Sequence, residues 1–124
     1  MKLIIKGRLH GLNEYISAER TNKYIAANMK SSDMEVVLWS AKASLRDWKA
    51  SGRVRMKYKW YEPNQRRDMD NVSSWGRKVI QDALVEGGYL TNDGWKNISG
   101  FTDDFYVDRS NPRIEVEIEE ERQT

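Results

Sequence analysis

In the segment RVRMKYKWY, positions 53–61, basic and apolar side chains alternate strictly from Arg53 to Trp60. Successive side chains of a β-strand point to opposite faces, so this pattern predicts a half-buried strand. Pro63 limits its extension, because proline cannot donate to a strand ladder. The outward basic row either contacts phosphates or only solvates the sheet, and the pattern fits both. The apolar row is Val54, Met56, Tyr58 and Trp60, and the basic row is Arg53, Arg55, Lys57 and Lys59.

Helical periodicity flanks this strand on both sides. Apolar residues between Met34 and Trp48 recur at three- and four-residue steps, which predicts a long helix from Lys30 to the glycine of ASG, residues 50–52. DNVSSWGRKVIQDALVEGG predicts a second helix that Gly87 and Gly88 end. KLIIKG, KNISGFTDDFYVD and RIEVEIE read as further strands. The predicted fold is therefore α/β (α+β), a small mixed sheet with two main helices in the order β-α-β-α-β-β.

The chain of 124 residues is long enough for one modest core, and we expect a single domain over residues 1–120 with an acidic and polar tail over 121–124. It has no cysteine, which excludes disulfides and thiolate metal sites. It also has no leader pattern and no apolar run of membrane length, so we expect an intracellular protein without a membrane partner. A lone histidine, His10, argues against triad hydrolases, and the glycines form no phosphate loop for ATP.

Charge is unevenly distributed along the chain. Residues 114–124 contain five Glu and one Arg, a net charge of −4, while the whole chain carries +2. The first 113 residues therefore carry +6, which fits a polyanionic partner. An ordinary basic domain with a solvated acidic tail explains the same numbers.

The segment RRDMDN, residues 66–71, carries the strongest chemical signal. If the chain is extended there, Asp68 and Asp70 point to the same side and repel one another unless a cation joins them. Oxygen ligands without nearby Cys or His favour a hard ion such as Mg²⁺ or Mn²⁺. A single D-x-D is weak on its own, because many such pairs are turns or helix caps.

Two later features strengthen this signal. On a helix starting near Asn71, the residues Asn71, Trp75, Lys78 and Asp82 share one stripe. Lys78 either points toward the carboxylates or forms an ordinary i,i+4 pair with Asp82. Asp93, in a glycine-flanked turn, is a candidate third carboxylate.

RRDMDN, the later Lys78 before DAL, and GYLTNDGWKNI together resemble the RusA-type Holliday junction resolvases, small dimeric endonucleases of bacteria and their phages. The opening KGRLHGLNEYISAERTNKYIAANMK is similar to phage and prophage members. The resemblance covers most of the chain. It implies a RusA-like fold, a homodimer acting on four-way DNA junctions, and a bacterial or host cytoplasmic location.

The resemblance also implies residue roles. It makes Asp68, Asp70 and Asp93 the catalytic carboxylates that bind Mg²⁺, with Arg67 and Lys78 as supporting cations. Arg67 would hold the scissile phosphate. Two positions depart from the family pattern: the helix before Lys78 is four residues longer, and Asn92 replaces one acidic residue. The expected DNA-binding residues are Arg66, Arg53, Arg55, Lys57 and Lys59.

Three interpretations are compatible with these features. The first is a Mg²⁺-dependent endonuclease that makes paired nicks in Holliday junctions. The second is a non-catalytic junction-binding protein that retains the fold, because the longer helix displaces Lys78. The third is a small structural protein in which Asp70 or Asn71 only caps a helix. We expect the five tryptophans to be core and dimer-interface anchors rather than a base-stacking platform.

Overall fold

A computed structural model describes residues 1–121, which form three helices and a four-stranded sheet. This arrangement confirms the predicted mixed α/β class. Of the predicted tail over residues 121–124, residues 122–124 lie outside this part of the chain. None of the helices in residues 1–121 has the length and apolar character needed to cross a membrane. The elements are β1 (Lys2–Lys6), α1 (Leu12–Thr21), α2 (Lys23–Leu45), β2 (Val54–Glu62), α3 (Met69–Glu86), β3 (Ile98–Val107) and β4 (Arg113–Glu120).

The helix predicted from Lys30 begins earlier, at Lys23, and a separate helix precedes it, so this region contains both α1 and α2. They are separated by Asn22, whose extended backbone ends α1 and whose side chain accepts the Tyr24 N–H at 2.8 Å to begin α2. The end of α2 was also predicted too late. It ends at Leu45, because Arg46 adopts a positive φ of 54°. Trp48 therefore packs on the core from a turn rather than from the helix.

The sheet has the strand order β1-β4-β2-β3. Strand β4 pairs antiparallel with both β1 and β2, while β2 and β3 are parallel and joined through α3. Since β2 and β3 run in the same direction, α3 must carry the chain back along the whole sheet between them. The loops that enter and leave α3 therefore lie at opposite ends of the sheet.

The core lies between one face of the sheet and helices α2 and α3. The apolar row of β2 is buried, as its alternation predicted, with Val54, Met56 and Tyr58 fully inaccessible. Helix α3 approaches the sheet closely at Gly76, where a Cβ would lie 2.6 Å from the ring of Trp60. Its predicted end is also confirmed, with Gly87 as C-cap and Gly88 at φ +81°.

The acidic segment near the carboxyl end is not a solvated tail over the residues that the structure describes. It is β4, an interior strand of the sheet. Its outward glutamates lie beside the basic row of β2, where Arg55 pairs in register with Glu119, Lys57 with Glu117 and Lys59 with Glu115. The two charged rows are separate in the sequence, but in the sheet they neutralise one another.

Candidate active site

Asp68 and Asp70 lie at the amino end of α3, where both are exposed. Asp68 is the N-cap, and its Oδ1 accepts the Asn71 N–H at 2.8 Å. Asp70 lies in the first helical turn, and its side chain makes no hydrogen bond or ion pair within residues 1–121. The positive end of the helix dipole favours both carboxylates. The capping role proposed for this segment is thus real, but it uses Asp68 and leaves Asp70 free to bind.

Asn71, the last residue of RRDMDN, is buried and joins α3 to α1. Its Oδ1 accepts the Asn13 N–H at 2.8 Å, which satisfies a free donor at the start of α1. The approach is so close that a Cβ on Gly11 would lie 2.7 Å from this oxygen. The amino ends of two helices are therefore fixed side by side next to Asp68, and both present their positive poles there.

Arg67 is a structural residue in this arrangement. Its Nε and Nη2 donate to the two carboxylate oxygens of Glu62 at 2.9 and 3.0 Å, and its Nη1 donates to the Leu9 carbonyl at 3.1 Å. The predicted bidentate grip on a phosphate is not available, because Glu62 already occupies that fork. Arg66, in contrast, is exposed and its side chain forms no ion pair within residues 1–121. Arg66 is the cation that faces solvent beside the carboxylates.

Glu62 was missed by the sequence analysis, although a signal was present. It is the fifth residue in phase with the buried row of β2, and it is buried. A carboxylate at such a position needs a partner. Arg67 supplies it, and Arg8 lies 3.6 Å away.

Lys78 does not reach the carboxylates. It lies eight residues past Asp70, about 12 Å along the helix axis, and its Nζ contacts Asp82 Oδ1 at 3.1 Å. Lys30 of α2 contacts the other oxygen of Asp82, also at 3.1 Å. Burial opposes the ionisation of Asp82, but the hydrogen bonds and charges of the two lysines outweigh it and lower its pKa. The ordinary i,i+4 alternative for Lys78 therefore describes the structure.

Asp93 lies at the opposite end of the molecule from Asp68 and Asp70. It comes after α3, which spans 18 residues or about 27 Å. It also precedes β3, and Asn97 beyond it bonds through its carbonyl to Val54 N, at the start of β2. Within residues 1–121, no three Asp, Glu, His or Cys side chains gather closely enough to hold a metal ion. One chain therefore does not bring the three aspartates together, and their role as a shared set of Mg²⁺ ligands stays a prediction.

A cavity of about 360 Å³ opens beside Asp68, between the start of α3 and the carboxyl end of β3. Val72 and Phe105 form part of its apolar wall, and Glu62, Arg67 and Asp68 contribute charged groups. Asp68 and Asp70 provide oxygen ligands of the kind that Mg²⁺ prefers, and this ion commonly binds through one or two carboxylates. Two of the three predicted ligands therefore lie at the same end of α3.

The basic row of β2 is a weaker DNA-binding candidate than the sequence indicated. Lys57 Nζ contacts Glu119 at 3.1 Å, and Arg53 approaches Glu121 at 4.0 Å. Lys59 lies between Glu115 on one neighbouring strand and Asp104 on the other. The outer face of the sheet is thus a mixed-charge surface, and its attraction for phosphate is reduced accordingly.

A buried polar cluster behind the α1–α3 contact was not predicted from the sequence. Asp33 of α2 is buried and accepts hydrogen bonds from the His10 ring at 2.8 Å, the His10 backbone at 3.1 Å and Trp75 Nε1 at 2.8 Å. His10 itself is half-buried in this cluster. Asp33 is in phase with buried Val37 and Ala41, which was the available signal.

The family model for RusA endodeoxyribonucleases matches residues 11–119, nearly the whole described chain. The chain belongs to the RusA family. No curated protein matches it in sequence. Membership in the RusA family implies a nuclease that resolves Holliday junctions and acts on branched DNA. The matched range begins at Gly11, so it includes the contact between the amino ends of α1 and α3. The candidate site therefore lies within the part of the chain that matches the family.

Proposed function

We propose that the protein is a Mg²⁺-dependent, structure-selective endodeoxyribonuclease that resolves Holliday junctions as a homodimer by paired phosphodiester hydrolysis. The observation that carries this proposal is the pair of exposed carboxylates, Asp68 and Asp70, on the amino end of α3 in a chain of the RusA family. Nothing in their hydrogen bonding requires Asp70 to be acidic. A role in binding and catalysis explains the residue.

A second subunit is needed to complete the site. Asp93 lies about one helix length from Asp68 in the same chain. A two-fold axis perpendicular to α3 would reverse the direction of the helix and could bring the amino end of one α3 toward Asp93 of the partner subunit. Two equivalent sites would result, each with Asp68 and Asp70 from one chain and Asp93 of the partner subunit. Two matched sites fit two matched nicks in a junction of approximate two-fold symmetry.

Asp68 and Asp70 would hold the divalent ion, which when bound lowers the pKa of water and draws charge from the phosphoryl oxygens. The chain's other groups prepare the site for a phosphate. The adjacent amino ends of α1 and α3 provide partial positive charge. Arg66 contributes a full positive charge in solvent, and Arg67 fixes the geometry through Glu62 and Leu9.

The test uses labelled four-way junctions with Mg²⁺, with Mn²⁺ and with chelator. We expect metal-dependent paired nicks from the natural sequence and none from Asp70→Asn. Asp47→Asn is the matched control, because Asp47 is also exposed and lies beyond the end of α2. Tight junction binding without product under every divalent ion would instead establish the non-catalytic alternative.

Mixing two inactive variants tests the shared site. In a heterodimer of Asp70→Asn and Asp93→Asn chains, one shared site receives both substitutions and the other receives neither. We expect the mixture to regain nicking of one strand, although each variant alone is inactive. If each site were built within one chain, both would stay damaged, and a mixture that remains inactive would refute the shared site.

A further inference from the structure

Trp95 is the most exposed large hydrophobic side chain within residues 1–121, at 91% of its full accessibility. Trp60 and Trp75 belong to the core, and even Trp39, on the outer face of α2, is 66% exposed. Trp95 is therefore not one of the core anchors expected among the tryptophans, and the expected dimer-interface role stays a prediction. A large aromatic surface left in water marks this position as an interaction site.

The backbone around Trp95 is a defined turn. The Gly94 carbonyl accepts the N–H groups of Asn97 at 3.0 Å and Ile98 at 2.9 Å, which closes a turn around Trp95. The Asn97 carbonyl then accepts the Val54 N–H at 2.8 Å, which ties this turn to β2. The indole is thus displayed by a hydrogen-bonded turn two residues after Asp93, and no described residue packs over it.

A polar cleft of about 280 Å³ lies next to this turn, between residues 50–53 and 90–97. Its lining includes two cations, Arg53 and Lys96, together with polar side chains and no carboxylate. Lys96 forms no ion pair within residues 1–121, and the contact of Arg53 with Glu121 is long, at 4.0 Å. The carboxylate of Glu120, next to this cleft, accepts the backbone N–H of Ser51 at 2.7 Å. The polar side chains of the lining are those of Ser51, Thr91 and Asn97.

We propose that Trp95 stacks on an unpaired base at the branch point of a DNA junction, with a neighbouring phosphate in the Arg53–Lys96 cleft. This inference rests on the proposed action on branched DNA. The indole face would stack on the base, and the cations and hydroxyl groups of the cleft would bind the phosphate attached to the same nucleotide. A base in a continuous duplex is stacked on both sides and inaccessible to Trp95, so this contact distinguishes a junction from linear DNA. Asp93 would bring the same turn to the cleavage site.

The experiment compares junction and linear-duplex affinity, measured in chelator so that no cleavage occurs. Trp95→Ala should weaken junction binding by about 5- to 150-fold, the value of one stacked base, and leave duplex binding unchanged. Trp95→Phe should restore most of the affinity, because it keeps an aromatic face. Trp39→Ala is the matched control and should bind both DNAs like the natural sequence.

Each other outcome overturns the inference in a recognisable way. Equal junction affinity for Trp95→Ala and the natural sequence would remove the stacking role while leaving the nuclease proposal intact. A smaller species in sedimentation, at an unchanged melting temperature, would assign Trp95 to the subunit interface instead. Failure of the natural sequence to bind or cut any junction would refute the proposed function together with this inference.

Discussion

Arg66 and Arg67 are adjacent in sequence, yet the structure predicts opposite consequences for their removal. Arg67 donates three hydrogen bonds to Glu62 and Leu9, and its side chain is only 16% exposed. Arg67→Ala leaves the buried Glu62 carboxylate with Arg8, at 3.6 Å, as its remaining cation. Breaking a fully buried ion pair costs about 3–5 kcal/mol. Because some solvent and Arg8 remain, we expect a loss of about 2–4 kcal/mol in the free energy of unfolding.

Arg66→Ala should change stability by no more than about 0.5 kcal/mol, because its side chain is exposed. It should instead weaken junction binding and reduce the slope of log K against log salt concentration by about 0.9 for each phosphate that is no longer neutralised. Arg67→Lys should be nearly as destabilised as Arg67→Ala, because an ammonium group cannot reproduce the bidentate contact with Glu62.

Urea denaturation followed by tryptophan fluorescence measures the stability of all three variants, and salt-dependent junction binding measures the affinity. A double-mutant cycle with Glu62→Gln isolates the pair and should give a coupling energy of about 1–3 kcal/mol. An Arg67→Ala protein as stable as the natural sequence, but defective in junction binding, would refute the structural assignment and restore the phosphate-clamp role.

Two further predictions concern the sheet. Gly76→Ala should lower the free energy of unfolding by about 1–3 kcal/mol, because its Cβ would lie 2.6 Å from Trp60 and this clash outweighs the better helix propensity of alanine. Gly52→Ala, at a position with open space around it, is the control in the same urea titration. Glu115→Gln should destabilise the protein at neutral pH, since the hydrogen bond from Lys2 and then Arg113 lower the pKa of Glu115 below 4.5. A lowered pKa in the folded state stabilises the fold at pH values above the ordinary pKa, and this stabilisation is lost as the pH falls through the lowered pKa. The two proteins should therefore converge in stability in acid, and a stability difference that does not shrink as the pH falls below 4.5 would contradict this.

Local periodicity predicted the elements that bury one face. In β2 every second residue is buried, and in α3 the buried residues recur about every 3.6 positions. Both patterns are complete within a short stretch of sequence, so they can be recognised without knowing the rest of the fold. The break at Asn22 was missed because residues 11–30 are polar with scattered aromatics. The decisive feature there was a cap shared by two helices, which no hydrophobic pattern reveals.

The electrostatics could not be obtained in the same way, because they depend on which strands are neighbours. The charge of +6 on the first 113 residues suggested a basic body, but β4 places its glutamates against Lys57 and Lys59. Similarly, parallel pairing of β2 and β3 determines that Asp93 lies far from Asp68. The charge pairing and the position of Asp93 both follow from the strand order of the sheet. Local sequence patterns do not specify that order.

RRDMDN can now be separated into two sets of residues by burial. Arg67 and Asn71 point inward and join α3 to the β1–α1 region, whereas Arg66, Asp68 and Asp70 remain at the surface. The inward pair fixes where the amino ends of α1 and α3 lie, and the outward residues provide the charges that a metal ion and a phosphate would meet. Substitutions within this one motif, with Asn in place of each Asp so that the cap at Asp68 is kept, should therefore divide according to burial rather than charge. The inward positions should alter unfolding, while the outward positions should alter junction binding and cleavage in a protein of nearly unchanged stability.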